Sequence, residues 1–128
     1  MAIALIQKWE KSLEIFRSNW KGIKSLSKSF RYVDVINEYG KTLTGTLKSG
    51  VKPLFSRNQV RNEFYAMSTF MKLRNKTNHS IGSLNYIFLN HQKVNSIIIQ
   101  NNKITYYITF PKNVIPTESL IKKISMRE

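Results

Sequence analysis

The sequence predicts a single α+β domain ordered helix, two strands, helix, three strands, helix (α-β-β-α-β-β-β-α). Three observations predict it. Apolar residues recur at helical spacing near both ends and in the middle, but at a spacing of two between those stretches. Gly, Asn and Pro stand where the period changes. Ser56 and Thr117 each precede a helical pattern as an N-cap would. The length of 128 residues suits one domain.

Residues 3–24 read as a helix. Ile6, Trp9, Leu13, Phe16, Trp20 and Ile23 make one apolar stripe, with Glu10, Lys11, Glu14, Arg17 and Lys21 on the other faces. Residues 30–36 read as a central strand: Phe30, Tyr32 and Ile36 face one way, Val33 and Val35 the other. Asn37, Glu38, Tyr39 and Gly40 make a turn, with Gly40 suited to positive φ. Residues 42–48 return as an edge strand, alternating Leu43, Gly45 and Leu47 with Thr44, Thr46 and Lys48. Ser56 and Gln59 have the spacing of a capping box, so a helix is expected over residues 57–78. It carries two apolar stripes. One is Val60, Phe64, Met67 and Met71; the other is Ala66, Phe70 and Leu73.

Strands are expected over residues 84–89, 93–100 and 103–110. Leu84, Tyr86 and Phe88 oppose Ile87 and Leu89 in the first. Asn101 and Asn102 suit the hairpin between the last two, because asparagine tolerates left-handed backbone. The third alternates Ile104, Tyr106, Ile108 and Phe110 with Thr105, Tyr107 and Thr109. Pro111 and Pro116 break the chain. A final helix follows with Leu120, Ile121 and Ile124 inward and Lys122, Lys123 and Arg127 toward its C-terminus.

The charge is lopsided. There are 21 Lys and Arg against 7 Asp and Glu, a net +14. No acid lies between Glu63 and Glu118 or between Ile15 and Val33. Such a field favours nucleic acid, acidic proteins or anionic lipid. Composition offers another reading, since lysine outnumbers arginine 15 to 6 amid many Asn and Ile residues. The set Lys48, Lys52, Arg57, Arg61, Lys72, Arg74 and Lys76 brackets the middle helix and is the candidate anion or partner surface.

The sequence carries no catalytic signature. There is no cysteine, hence no disulfide, thiolate metal site or thiol nucleophile. His79 and His91 have no nearby acid in sequence, so no metal site is expected. No Walker loop, dinucleotide fingerprint or nucleophile elbow occurs, and no cofactor is expected. Asp34, among apolar neighbours, is expected to pair with Arg31 or Lys41. The tyrosines of residues 103–110 could stack bases only if that sheet face were open. No stretch approaches the roughly 18 apolar residues of a membrane span. The chain reads as a non-enzymatic, cytoplasmic protein with no membrane insertion.

The element order, the run Tyr32-Val33-Asp34-Val35-Ile36-Asn37-Glu38-Tyr39-Gly40-Lys41, the loop Gly50-Val51-Lys52-Pro53-Leu54 and the helix after Ser56 carry a resemblance. Together with the three hairpin-linked strands they resemble the roadblock (dynein light chain) superfamily, especially its small archaeal members. Profilin-like and sensor-type α/β folds share a similar order. The resemblance implies a five-stranded antiparallel sheet between the long middle helix and the two terminal helices. It also implies a homodimer joined through the middle helix and the strand after it, and a scaffold for a protein partner, possibly a small Ras-like GTPase. The implied dimer surface is Val60, Phe64, Met67, Met71, Leu84, Tyr86 and Phe88. Two further functions fit the residues: a basic nucleic-acid-binding protein, or a ligand sensor with a pocket between sheet and helix.

Overall fold

The computed structural model describes residues 29–101 and 103–125. The helix expected over residues 3–24, and Arg127, lie outside them. The described strands are β1 (Tyr32–Ile36), β2 (Thr42–Leu47), β3 (Ile87–Asn90), β4 (Val94–Asn101) and β5 (Ile104–Pro111). The helices are α1 (Arg57–Asn75), the single turn α2 (Asn78–Ile81) and α3 (Glu118–Ser125). The strands form one antiparallel sheet in the order β2-β1-β5-β4-β3, so β5 is central and β2 and β3 are edges.

Alternation along the central strands builds a core on each face of this sheet. Val33, Val35, Ile97, Ile99, Tyr106, Ile108 and Phe110 join Ile121 and Ile124 of α3 on one side. Ile36, Ile98 and Tyr107 join Phe64 and Met71 of α1 on the other. Tyr107 anchors the second layer: its ring stacks with Tyr32 at 6.1 Å and meets Phe64 at 5.2 Å. Tyr106 and Tyr107 are both buried, so the tyrosines of β5 offer no stacking platform for bases.

Local chemistry sets the helix starts. Ser56 Oγ accepts from the Gln59 amide, and Gln59 Oε1 accepts from the Ser56 amide, closing the expected capping box. Thr117 Oγ1 accepts from the Leu120 amide at the start of α3. Lys72 and Arg74 occupy the last turn of α1, where cations complement the helix dipole. Asn95 Nδ2 donates to the carbonyls of Lys112 and Val114, pinning the segment after β5 against β4.

Several expectations are corrected. Phe30, which precedes β1, packs with Val33 and Val35 rather than on the side of Tyr32 and Ile36. The β1–β2 register shifts between Val35 and Ile36. Leu43 consequently packs on the α3 side, while Gly45 and Leu47 lie toward α1. The long helix ends at Asn75, and α2 follows as a separate turn. β3 starts at Ile87, leaving Leu84 and Tyr86 in the segment before it. In the β4–β5 turn, the described residue with left-handed backbone is Lys103, at φ 69°.

Candidate functional site

Three surface features stand out on the α1 side of the sheet. The first is apolar. The stripe Val60, Phe64, Met67 and Met71 faces the sheet, with Phe64 1% and Met71 2% exposed and the other two packed against the same core. Of the four residues assigned to the dimer surface, Phe64 and Met71 are thus taken up by their own sheet, and Val60 and Met67 are half-buried against it. The neighbouring stripe stays uncovered among the described residues. Ala66 is exposed, Phe70 is 42% exposed and Leu73 52%. Exposed Leu84 and Tyr86 line a hollow of about 340 Å³ with Arg74 and Ile81, and the Arg74 guanidinium lies 5.7 Å from the Phe70 ring. Beyond them lies the short edge strand β3, whose Phe88 is exposed on the opposite sheet face.

The second feature is basic. The sheet of β1 and β2 approaches α1 closely at its turn: a Cβ on Gly40 would come within 3.0 Å of the Tyr65 backbone. Gly40 also has φ 83°, so the position requires glycine on both counts. Asn37 Oδ1 holds the turn by accepting from the amides of Tyr39 and Lys41. Beside it lies a groove of about 590 Å³ lined by Lys41, Arg57 and Arg61 with the exposed rings of Tyr39 and Tyr65. Lys72 Nζ sits 5.1 Å from the Tyr39 ring.

The predicted basic set therefore does not make one patch. Arg57 and Arg61 come together. Lys72 lies farther along the same flank, Arg74 is on the opposite flank, and Lys76 caps the far end of a helix about 28 Å long. Lys48 follows the end of β2, and Lys52 offers its carbonyl to Arg31. Lys41, Tyr39 and Tyr65 were not predicted members of this surface.

The third feature is a hollow between α1 and the sheet, beneath residues 53–55. Two adjoining cavities, about 560 and 370 Å³, share Tyr32, Leu54 and Phe55. The floor of the larger is a hydroxyl network: Ser96 Oγ and Thr109 Oγ1 share a hydrogen bond of 3.2 Å. The Tyr32 hydroxyl lies beside Thr109, and that of Tyr107 beside Ser96 and Glu63. Burial raises both phenols, Tyr32 to about 12 and Tyr107 higher still. The smaller cavity holds Asp34. Its carboxylate lies over Gly45, its partner in the strand register, where a Cβ would overlap Oδ1. The expected ion pair does not form. Arg31 Nη2 instead donates to the Lys52 carbonyl at 2.9 Å, and Lys41 lines the groove across the turn. Burial alone raises Asp34 to about 6.

His79 and His91 are exposed, and among the described residues no group of acids or histidines could hold a metal. Nor is any described helix long and apolar enough to cross a membrane.

At the level of sequence, no family model and no curated protein matches the chain. In three dimensions it is similar to a solved Roadblock/LC7 domain and to solved MglB structures. A Roadblock/LC7 domain from Streptomyces avermitilis aligns with a TM-score of 0.60 at 6% identity, over 83% of this chain and 85% of that one. The gliding protein MglB from Thermus thermophilus aligns at 0.67 and 9% identity, over 89% and 85%. A structure described as MglB with tetrameric arrangement aligns at 0.62 and 9%, over 92% and 82%. At these identities the likeness establishes the fold, which is roadblock-like, as the element order implied.

Proposed function

We propose that this chain is a cytoplasmic, non-enzymatic binding module that pairs with a second copy of itself. The pairing surface is the outer stripe of α1, Ala66, Phe70 and Leu73, continued by Leu84, Tyr86 and β3. The single observation behind this reading is the apolar stripe that, among the described residues, stays uncovered beside the edge strand β3. An exposed edge presents unpaired backbone groups, and an edge on a second copy satisfies them in both chains at once. The tetrameric arrangement named for MglB supports association as a use of this fold. In the roadblock reading, the pair presents its remaining surface to a protein partner such as a small Ras-like GTPase.

Light scattering over a rising concentration series tests the pairing. The expected result is a mass of twice the chain for the wild type and of one chain for Phe70→Glu. A wild type that remains one chain at high micromolar concentration removes this reading.

A second reading has its own observation, the groove of Lys41, Arg57 and Arg61 between two exposed tyrosines. Cations with aromatic rings suit single-stranded nucleic acid. Its affinity must fall steeply with salt, and Arg57→Ala with Arg61→Ala must flatten that slope. No binding at low salt ends it.

A further inference from the structure

The hollow beneath residues 53–55 has an unusual charge arrangement. In a chain of net +14, one charged residue among those described lines the smaller cavity, the acid Asp34. Among the described residues no cation lines that cavity, and the Asp34 carboxylate makes neither an ion pair nor a hydrogen bond. The strand register aims it there. Asp34 stands opposite Gly45, and the missing Cβ lets the carboxylate lie across the edge strand. Tyr32, Leu54 and Phe55 then separate this lobe from the larger one.

The two volumes fall within the range of small-molecule sites, as does the pattern of apolar walls with a few converging polar groups. A carboxylate held in an apolar cavity without a partner is costly. An anionic ligand would add repulsion, and a neutral apolar one would desolvate the carboxylate further. A cation with an apolar body meets both needs, and the Tyr32 ring face adds attraction for its charge.

We propose that this hollow binds a small organic amine, with its ammonium group on Asp34 and its apolar body between Tyr32, Leu54 and Phe55. The site is independent of the pairing surface on the outer stripe of α1. The remaining titratable groups, Glu63, His91, Lys93 and Tyr107, line the larger lobe, which shares Tyr32 with the smaller. Burial holds Asp34 near 6, so an amine should bind about ten-fold more weakly near pH 5 than near pH 8 as the carboxylate protonates.

The test uses the full chain and two matched pairs of probes: phenethylamine with 2-phenylethanol, and hexylamine with 1-hexanol. Amide chemical shifts are followed in millimolar titrations. The expected result is that each amine binds more tightly than its alcohol near pH 8, moves the amides of β1, β2 and residues 53–55, and loses the advantage near pH 5. Asp34→Asn should bring amine and alcohol to equal affinity. Equal binding of amine and alcohol to the wild type, unchanged amine binding by Asp34→Asn, or no binding of either amine overturns the proposal. The pH comparison on the wild type keeps the test decisive if the variant does not fold.

Discussion

Asp34→Asn separates the cost of the buried carboxylate from everything else in the cavity. The folded protein holds this group near 6, against an ordinary value of 3.8, and desolvation is the cause. The native state therefore grips the proton more tightly than the unfolded chain does. Stability from this group is greatest when it is protonated in both states, declines as pH rises from about 4 to about 6, and is level above that. A difference of about two pKa units corresponds to about 3 kcal/mol, or roughly 2 kcal/mol after allowance for the group's partial solvent contact. Asn has nearly the same shape and no charge to desolvate. Urea denaturation of both proteins from pH 4 to pH 8 measures the effect. The variant should be more stable by about 2 kcal/mol near pH 8 and within about 0.5 kcal/mol of the wild type near pH 4. A variant less stable near pH 8 would mean that Asp34 is partnered in the folded state, and a difference that does not change with pH would mean that folding leaves its proton affinity unchanged; either result defeats the reasoning.

Gly45→Ala places a Cβ on the Asp34 carboxylate and should cost about 1–3 kcal/mol, most of it recovered in an Asp34→Ala background. A double-mutant cycle in urea checks this; additive costs would refute the contact. Ile108→Ala opens a cavity at a fully buried position of the central strand and should lose about 2–5 kcal/mol, read as a lower urea midpoint. Ser56→Ala removes the Oγ acceptor of the capping box and should cost about 1 kcal/mol in the same assay, with Ser56→Thr retaining most of the stability.

Much of the fold was legible because local chemistry and packing agree in the relevant segments. The strict alternation of Ile104 to Phe110 identified the central strand and both its faces. Ser56 with Gln59 located the start of α1. Periodicity failed where two answers share a pattern. Two apolar stripes lie side by side on α1, and nothing local says which meets the sheet, so residues of the core were assigned to a partner. Leu84 and Tyr86 alternate like strand residues, but Ile87 is the first residue that pairs with β4.

The candidate sites were less legible, because they depend on register. A shift between Val35 and Ile36 sends Leu43 to one face and Gly45 to the other. Only that places Asp34 over Gly45. Glycine in an edge strand was a visible signal of close approach, although its partner could not be read. Lys41 reached the basic groove through the close packing of Gly40 on α1, another long-range contact.

The central claim is that a second copy covers the outer stripe of α1. A chain without cysteine allows this to be tested by placing one thiol at a time. Ala66→Cys and Leu73→Cys lie on the proposed interface, and Lys122→Cys lies on α3 across the sheet. Treatment with a short bismaleimide should give a covalent dimer from the first two variants and none from the third. A dimer that cross-links through Lys122→Cys alone, or no covalent dimer from Ala66→Cys and Leu73→Cys at any concentration, would contradict the account.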